Sequence, residues 1–326
     1  MILLIQYTLI FASVLLLVAL GGCISEHSGV INLGLEGIMV MGALGGALVM
    51  KYFTNLYFDP AKGLVEITGG KAFVMFLSTF AASALVGVLY SALLAVACIN
   101  FKADQTIVGT ALNMLGTALA TVVVKSMNTA SDPNNHSSEI FYGKVKDFFF
   151  TKLGKFDLSW FMIVAVILLV VVYVLLYKTK FGLRLRACGE HPQAAASVGI
   201  SVYKMRWSGV LLSGFLGGVG GITYITAAVS TWKFENGVAG FGFLALAVMI
   251  FGAWHPFKIA GAALIFGLFR ALGNTYNGID FLKSMDIPSG VYNMLPYIVS
   301  LIVLAFTSKN SAAPKAEGIP YDKGMR

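Results

Sequence analysis

Charge is what this 326-residue chain has least of: Asp, Glu, Lys and Arg make up 12% of it, against 58% hydrophobic residues. A soluble globular domain carries about a quarter charged residues, so an ordinary soluble domain is excluded and a polytopic membrane protein is what remains. Cysteine is scarce too. Cys23, Cys98 and Cys188 have no metal-ligand spacing and read as small packing residues. The four histidines, His27, His136, His191 and His255, are scattered. No H-E-x-x-H, G-x-S-x-G or Gly-x4-Gly-Lys-Ser/Thr stretch occurs. The reading is therefore no catalytic residue, no metal, and no means of hydrolysing ATP within this chain. Energy has to come from another subunit or from an ion gradient. The net charge of +8 lacks an aromatic-interleaved basic patch, which excludes nucleic acid, and is expected to mark one side of a bilayer.

Long apolar runs are what the chain does have. Stretches at about 2–22, 29–50, 72–99, 104–124, 160–177, 207–230, 240–255, 259–277 and 291–307 approach the ~20 residues a span needs. The expectation is an all-α polytopic membrane helical bundle of about nine transmembrane segments (eight to ten), with 240–255 short enough to be broken or re-entrant. Residues 1–307 read as one transmembrane domain and 308–326 as a cytoplasmic tail. Leu20-Gly21-Gly22-Cys23 has the form of a lipoprotein cleavage box, but the segment before it lacks the basic start of a secretory signal.

Orientation follows from where the basic residues lie. Between 178 and 206, Lys178, Lys180, Arg184, Arg186, Lys204 and Arg206 face only Glu190. In the tail, Lys309, Lys315, Lys323 and Arg326 outnumber Glu317 and Asp322. Both belong inside, which places 51–71, 125–159 and the N-terminus outside. The outer loops carry compensating acids: Lys51, Lys62 and Lys71 meet Asp59 and Glu66, while Lys125, Lys144, Lys146, Lys152 and Lys155 meet Asp132, Glu139, Asp147 and Asp157.

The basic island is punctuated. His191 to Gly199 reads as a short helix with Pro192 at its first position and Gly199 as its left-handed stop, and Ser201 can cap the next helix. An ordinary positive loop and a small rigid surface element both fit this composition. The external loop 125–159 is turn-rich at Ser131–His136 and aromatic at Phe148-Phe149-Phe150. It reads as a solvated loop with an aromatic anchor, or as part of a docking surface.

Polar residues inside apolar runs carry the remaining information. Asn32 and Glu36 are four apart, as are Arg270 and Asn274, and Asn113 is mid-span. A carboxylate at that depth has to be paired, neutral or facing water, so Glu36 is a structural pair or cap, or else a pathway or gating group, with Arg270 the natural partner. Gly214, Gly217, Gly218 and Gly221 stand at spacings that let helices approach closely in lipid, and a backbone-lined pathway is compatible with that.

Two blocks resemble a known family. Gly182-Leu-Arg184-Leu-Arg186-Ala187-Cys-Gly189-Glu190-His-Pro192-Gln-Ala194-Ala195-Ala-Ser-Val-Gly199 looks like the cytoplasmic coupling segment of ABC importer permeases that handle simple sugars, branched-chain amino acids, nucleosides and riboflavin. Ser28 to Met39 is similar to the N-terminal signature of the same branch. The resemblance implies ATPase coupling through Gly182, Arg184, Arg186, Ala187, Gly189, Glu190, Pro192, Ala194, Ala195 and Gly199. It also implies a second permease, alike or homologous, cytoplasmic ATPase subunits that hold the ATP and Mg, and an extracytoplasmic solute-binding protein. Gly34-Leu-Glu36-Gly37 most resembles nucleoside and riboflavin importers; a simple sugar, or a secondary transporter driven by an ion gradient, is the alternative. Glu36 has no obvious counterpart in the second half, which argues against the gradient-driven reading.

Overall fold

The computed structural model describes residues 2–59, 64–65, 67, 69–140, 145–154, 156–229, 233–276, 289–307 and 312–324. Lys62, Glu66, Lys144, Lys155, Lys309 and Arg326, used in the charge argument, lie outside the described residues.

Among the described residues seven helices are long and apolar enough to cross a bilayer. They are α1 (Ile2–His27), α2 (Leu35–Tyr57), α3 (Gly69–Ala95), α4 (Gln105–Ser131), α5 (Trp160–Lys178), α8 (Val202–Thr223) and α10 (Pro256–Thr275). A π-helical turn extends α3 to Asn100, and another extends α8 to Ala228. Two further helices, α6 (Lys180–Glu190) and α7 (Pro192–Ser197), form the basic island. The remaining two apolar stretches are α9 (Phe241–Phe251) and α11 (Ser289–Thr307). All nine apolar stretches are therefore helical, but α9 is only 11 residues long. That is about 16 Å of rise, half of a ~30 Å hydrocarbon core. Before α9, Phe234–Asn236 form a separate 3-10 turn, so this crossing is broken.

Small residues set the packing. α1 is apolar all round and is buried without interruption from Ile10 to His27, between α8, α9 and α10. α8 lies against α1, α2 and α3 through its glycines. A side chain at Gly218 would run into the Ser83 carbonyl oxygen, and one at Gly221 into that of Met39. Gly214 meets Ser91 and Gly87, and Gly217 meets Ile38, so all four glycines stand at helix contacts. Ser83 Oγ lies 2.7 Å from both the Gly42 and the Gly218 carbonyl oxygens, sharing its hydrogen between α2 and α8. In lipid, where apolar surface gains nothing by leaving one neighbour for another, close backbone approach and such hydrogen bonds do the joining.

Two small β-hairpins interrupt the all-helical plan: β1 (Phe58–Asp59) with β2 (Leu64–Val65), and β3 (Phe150–Leu153) with β4 (Phe156–Ser159). The second follows the aromatic run. Phe149 is fully buried, 5.6 Å from Phe76 of α3 and 5.9 Å from Phe161 of α5. The anchor thus sits in the helix bundle. Cys23 is also buried, its thiol 3.2 Å from the Trp254 carbonyl oxygen, within an uninterrupted α1.

Candidate functional site: a helical platform and a groove

The basic island is two helices rather than one. Thr179, extended at φ −115°, accepts the Gly182 N–H at 3.1 Å and donates to Leu175 O at 2.6 Å. It therefore ends α5 and starts α6. A Cβ on Gly182 would collide with the carbonyl oxygens of Leu175 and Leu176, so glycine is what lets α6 fold back on α5. Gly182 and Gly189 within the run conceal α6 from a propensity reading. α7 starts with Pro192 and is followed by Gly199 at φ +84°, the expected start and stop. Ser201 occupies the N-cap position of α8, but its side chain makes no capping hydrogen bond.

The ten coupling candidates divide by burial. Gly182, Gly189, Pro192 and Ala195 are buried and shape the element. Arg186 and Ala187 are half-buried, with the Arg186 guanidinium 4.6 Å over the Tyr177 ring. Arg184, Glu190, Ala194 and Gly199 are exposed, alongside the apolar side chains of Leu183 and Val198, 63% and 74% exposed. A partner's groove can touch this last set most fully, and the half-buried pair in part.

The pathway candidates separate in a similar way. Asn32 is not helical: Gly29, at φ +89°, turns the chain after α1, and an irregular segment runs to α2. The shared helix face expected for Asn32 and Glu36 is therefore absent. Asn32 is fully buried, donating to Ser213 Oγ at 2.9 Å and accepting the Gly34 N–H at 3.1 Å. Asn113 joins α4 to the start of α2, accepting the Gly37 N–H and donating to Leu33 O, both at 2.8 Å.

Glu36 solves the problem that the broken crossing creates. A helix starting inside a membrane presents unpaired N–H groups and the positive end of its dipole. Glu36 Oε1 accepts the Gly240 N–H at 2.8 Å and Oε2 accepts the Gly242 N–H at 2.7 Å. Arg270, the candidate partner of Glu36, reaches the same turn through aromatic rings. Arg270 lies over the rings of Phe241, at 5.5 Å, and Phe11, at 5.9 Å. Phe241 stands between the two glycines that Glu36 holds, so acid and cation both touch one turn. Asn274, one turn beyond Arg270 on α10, is exposed.

Beside Glu36 opens a groove of about 740 Å³, lined by Thr110, Asn113, Thr117 and Thr121 of α4 together with Met114, Phe243 and Glu235. The threonines and Asn113 recur every three or four residues and form a polar stripe along an otherwise apolar helix. Sequence reasoning singled out Asn113 and passed over the threonines, although the spacing was there to find. Near the end of α4, Lys125 pairs with Glu235 at 3.0 Å.

Seven long apolar helices define an integral membrane protein, with a groove along one span and a helical platform at its basic island. The chain belongs to the family described as the branched-chain amino acid transport system / permease component, whose model matches residues 4–307. It is a multi-pass protein of the cytoplasmic (inner) membrane. It is 39% identical over 323 residues to the guanosine ABC transporter permease protein NupQ of Bacillus subtilis, covering 98% of this chain and 96% of that one. It is 38% identical over 324 residues to the nucleoside ABC transporter permease protein NupC of Lactococcus lactis, covering 97% and 95%. NupB of L. lactis, also named a nucleoside ABC transporter permease, is 28% identical over 162 residues, covering 48% and 44%.

Proposed function

We propose that this chain is the permease subunit of an ATP-driven importer for nucleosides. The observation that carries this reading is near-full-length similarity to two permeases whose names specify guanosine and nucleosides. The groove agrees with a neutral solute that has an apolar face and some hydroxyls: its lining is mainly apolar, Met114 and Phe243 included, its threonines add hydroxyls, and its carboxylate Glu36 is occupied by backbone N–H groups. Riboflavin, a nucleoside-like compound, remains the secondary solute to test.

In this reading ATP and Mg are bound by a cytoplasmic ATPase, and this chain binds no cofactor. The exposed side of α6 and α7 sits in the ATPase groove, and closure of the ATPase dimer tilts the bundle so that the groove beside α4 opens to the other side. A second permease completes the pathway; NupB and NupC, two nucleoside permeases of one organism, favour a homologous rather than identical partner. An external binding protein delivers the solute.

Proteoliposomes holding the chain with its ATPase, second permease and binding protein test this. ATP-dependent uptake of labelled guanosine in preference to glucose is the expected result. Uptake by the chain alone, driven by a proton or sodium gradient, would overturn it.

A further inference from the structure

The tail is not a loose end. Residues 312–324 lie across the cytoplasmic face and bind four separate parts of it. The Ala316 N–H donates to Gly189 O at 2.8 Å, satisfying a carbonyl that the end of α6 would otherwise leave open. Ile319 O accepts from Arg206 Nη1 at 2.8 Å, and Arg206, at the root of α8, is 1% exposed. Tyr321 fills a small apolar cluster with Cys188 of α6, Ala195 of α7 and Val202 of α8, its ring 5.4 Å from that of Tyr203. Asp322 pairs with Lys102, in the turn between α3 and α4, at 3.1 Å.

The tail also touches the segment that leads to the groove. Gly29 lies against Arg206 and the Ala316 carbonyl, and Gly318 lies against the Ile31 side chain. The Ile31 N–H in turn donates to Gln105 Oε1, the first residue of α4, at 2.7 Å. From Ile31 the chain reaches Glu36 within five residues. A continuous set of packed contacts therefore runs from the coupling helices, through the tail, to the Glu36 and α4 sides of the groove.

We propose that the carboxy-terminal tail is a transmission strap that makes α6, α7, the root of α8 and the segment before α2 move as one body, so that displacement of the platform reaches α4. The proposal rests on the permease reading. A surface ion pair such as Lys102–Asp322 is too weak to do this alone; the strap acts through the buried contacts of Tyr321, Arg206 and Gly189.

The test uses the whole complex in proteoliposomes, with the unmodified chain, a chain ending at residue 311, and Tyr321→Ala in the full-length chain. ATP hydrolysis, guanosine uptake and co-purification of the ATPase are measured for each. In both variants the ATPase still co-purifies and hydrolysis stays near the unmodified rate, while guanosine moved per ATP falls about fivefold or more, the scale of an ordinary coupling energy. An unchanged ratio in both variants overturns the strap. So does joint loss of assembly, hydrolysis and uptake in both, which would make the tail a folding element only. Failure of the unmodified complex to take up solute is a separate result that removes the permease reading itself.

Discussion

Glu36 and Gly242 meet where a span breaks: the carboxylate takes the glycine N–H at 2.7 Å, and a Cβ at Gly242 would approach the Glu36 backbone nitrogen to 2.5 Å. The contact fixes where α9 begins. Glu36→Gln replaces one acceptor oxygen with an amide that confronts an N–H donor, and hydrogen bonds to charged groups contribute about 1.5–3 kcal/mol. Thermal unfolding of the purified chain is expected to show a loss of that order for Glu36→Gln, with guanosine uptake reduced. Gly242→Ala should be at least as damaging because the clash is with backbone. Unaltered stability in both would mean that the start of α9 is held by something else.

Arg270 and Glu36 should be energetically coupled. Each constrains the Gly240–Gly242 turn, Arg270 through the face of Phe241. A double-mutant cycle on uptake with Glu36→Gln and Arg270→Gln is expected to depart from additivity by about 0.5 kcal/mol or more. Adding Phe241→Leu, which removes the ring, should restore additivity.

The platform separates shape from contact. Val198→Arg lies on the exposed side and should abolish co-purification of the ATPase while leaving the thermal midpoint in place. Ala195→Arg drives a charge into the buried Cys188–Tyr321 cluster and should destabilise the chain by several kcal/mol.

Much of this arrangement could be read from residue order, because its main signals are local. The nine apolar runs all lie on helices, and Pro192 and Gly199 mark the ends of α7, since these residues carry their backbone preferences wherever they stand. What failed was what depends on neighbours distant in sequence. Asn32 lies outside any helix because Gly29 turns the chain between α1 and α2. Glu36 is answered by N–H groups more than 200 residues away, and no side-chain pattern announces a backbone donor. The tail read only as a basic cytoplasmic extension, because the groups that bind it, Gly189 O and Arg206, belong to other elements.

The threonine stripe offers a graded test. Thr110 and Thr117 line the groove and spend their hydrogens on backbone carbonyls of their own helix, which leaves oxygen lone pairs to accept from a solute. Replacing Thr117 by Val keeps the shape and removes the hydroxyl. A net hydrogen bond is worth about 0.5–1.5 kcal/mol, so the KM for guanosine is expected to rise roughly two- to tenfold with little change in basal ATP hydrolysis. An equal effect from Ser78→Ala, on α3 outside the groove lining, would deny the stripe a solute role.

The strap carries its own pH dependence. Burial pushes the Glu317 carboxyl from its ordinary 4.5 up to about 7, and Glu26 of α1 is the acid that faces it. With the folded value above the unfolded one, the docked tail holds more protons than the free tail between these limits. Docking therefore weakens as pH rises through that window, and is strongest on its acid side. Asp322 acts in the opposite sense, held low by the Gly324 N–H and by Lys102, but it has already ionised below the window and contributes no slope there. Limited proteolysis of the tail should accordingly be faster at pH 8 than at pH 6. In Glu317→Gln, which cannot ionise, the two rates should converge on the slower one; convergence on the faster rate would assign the pH effect to another group.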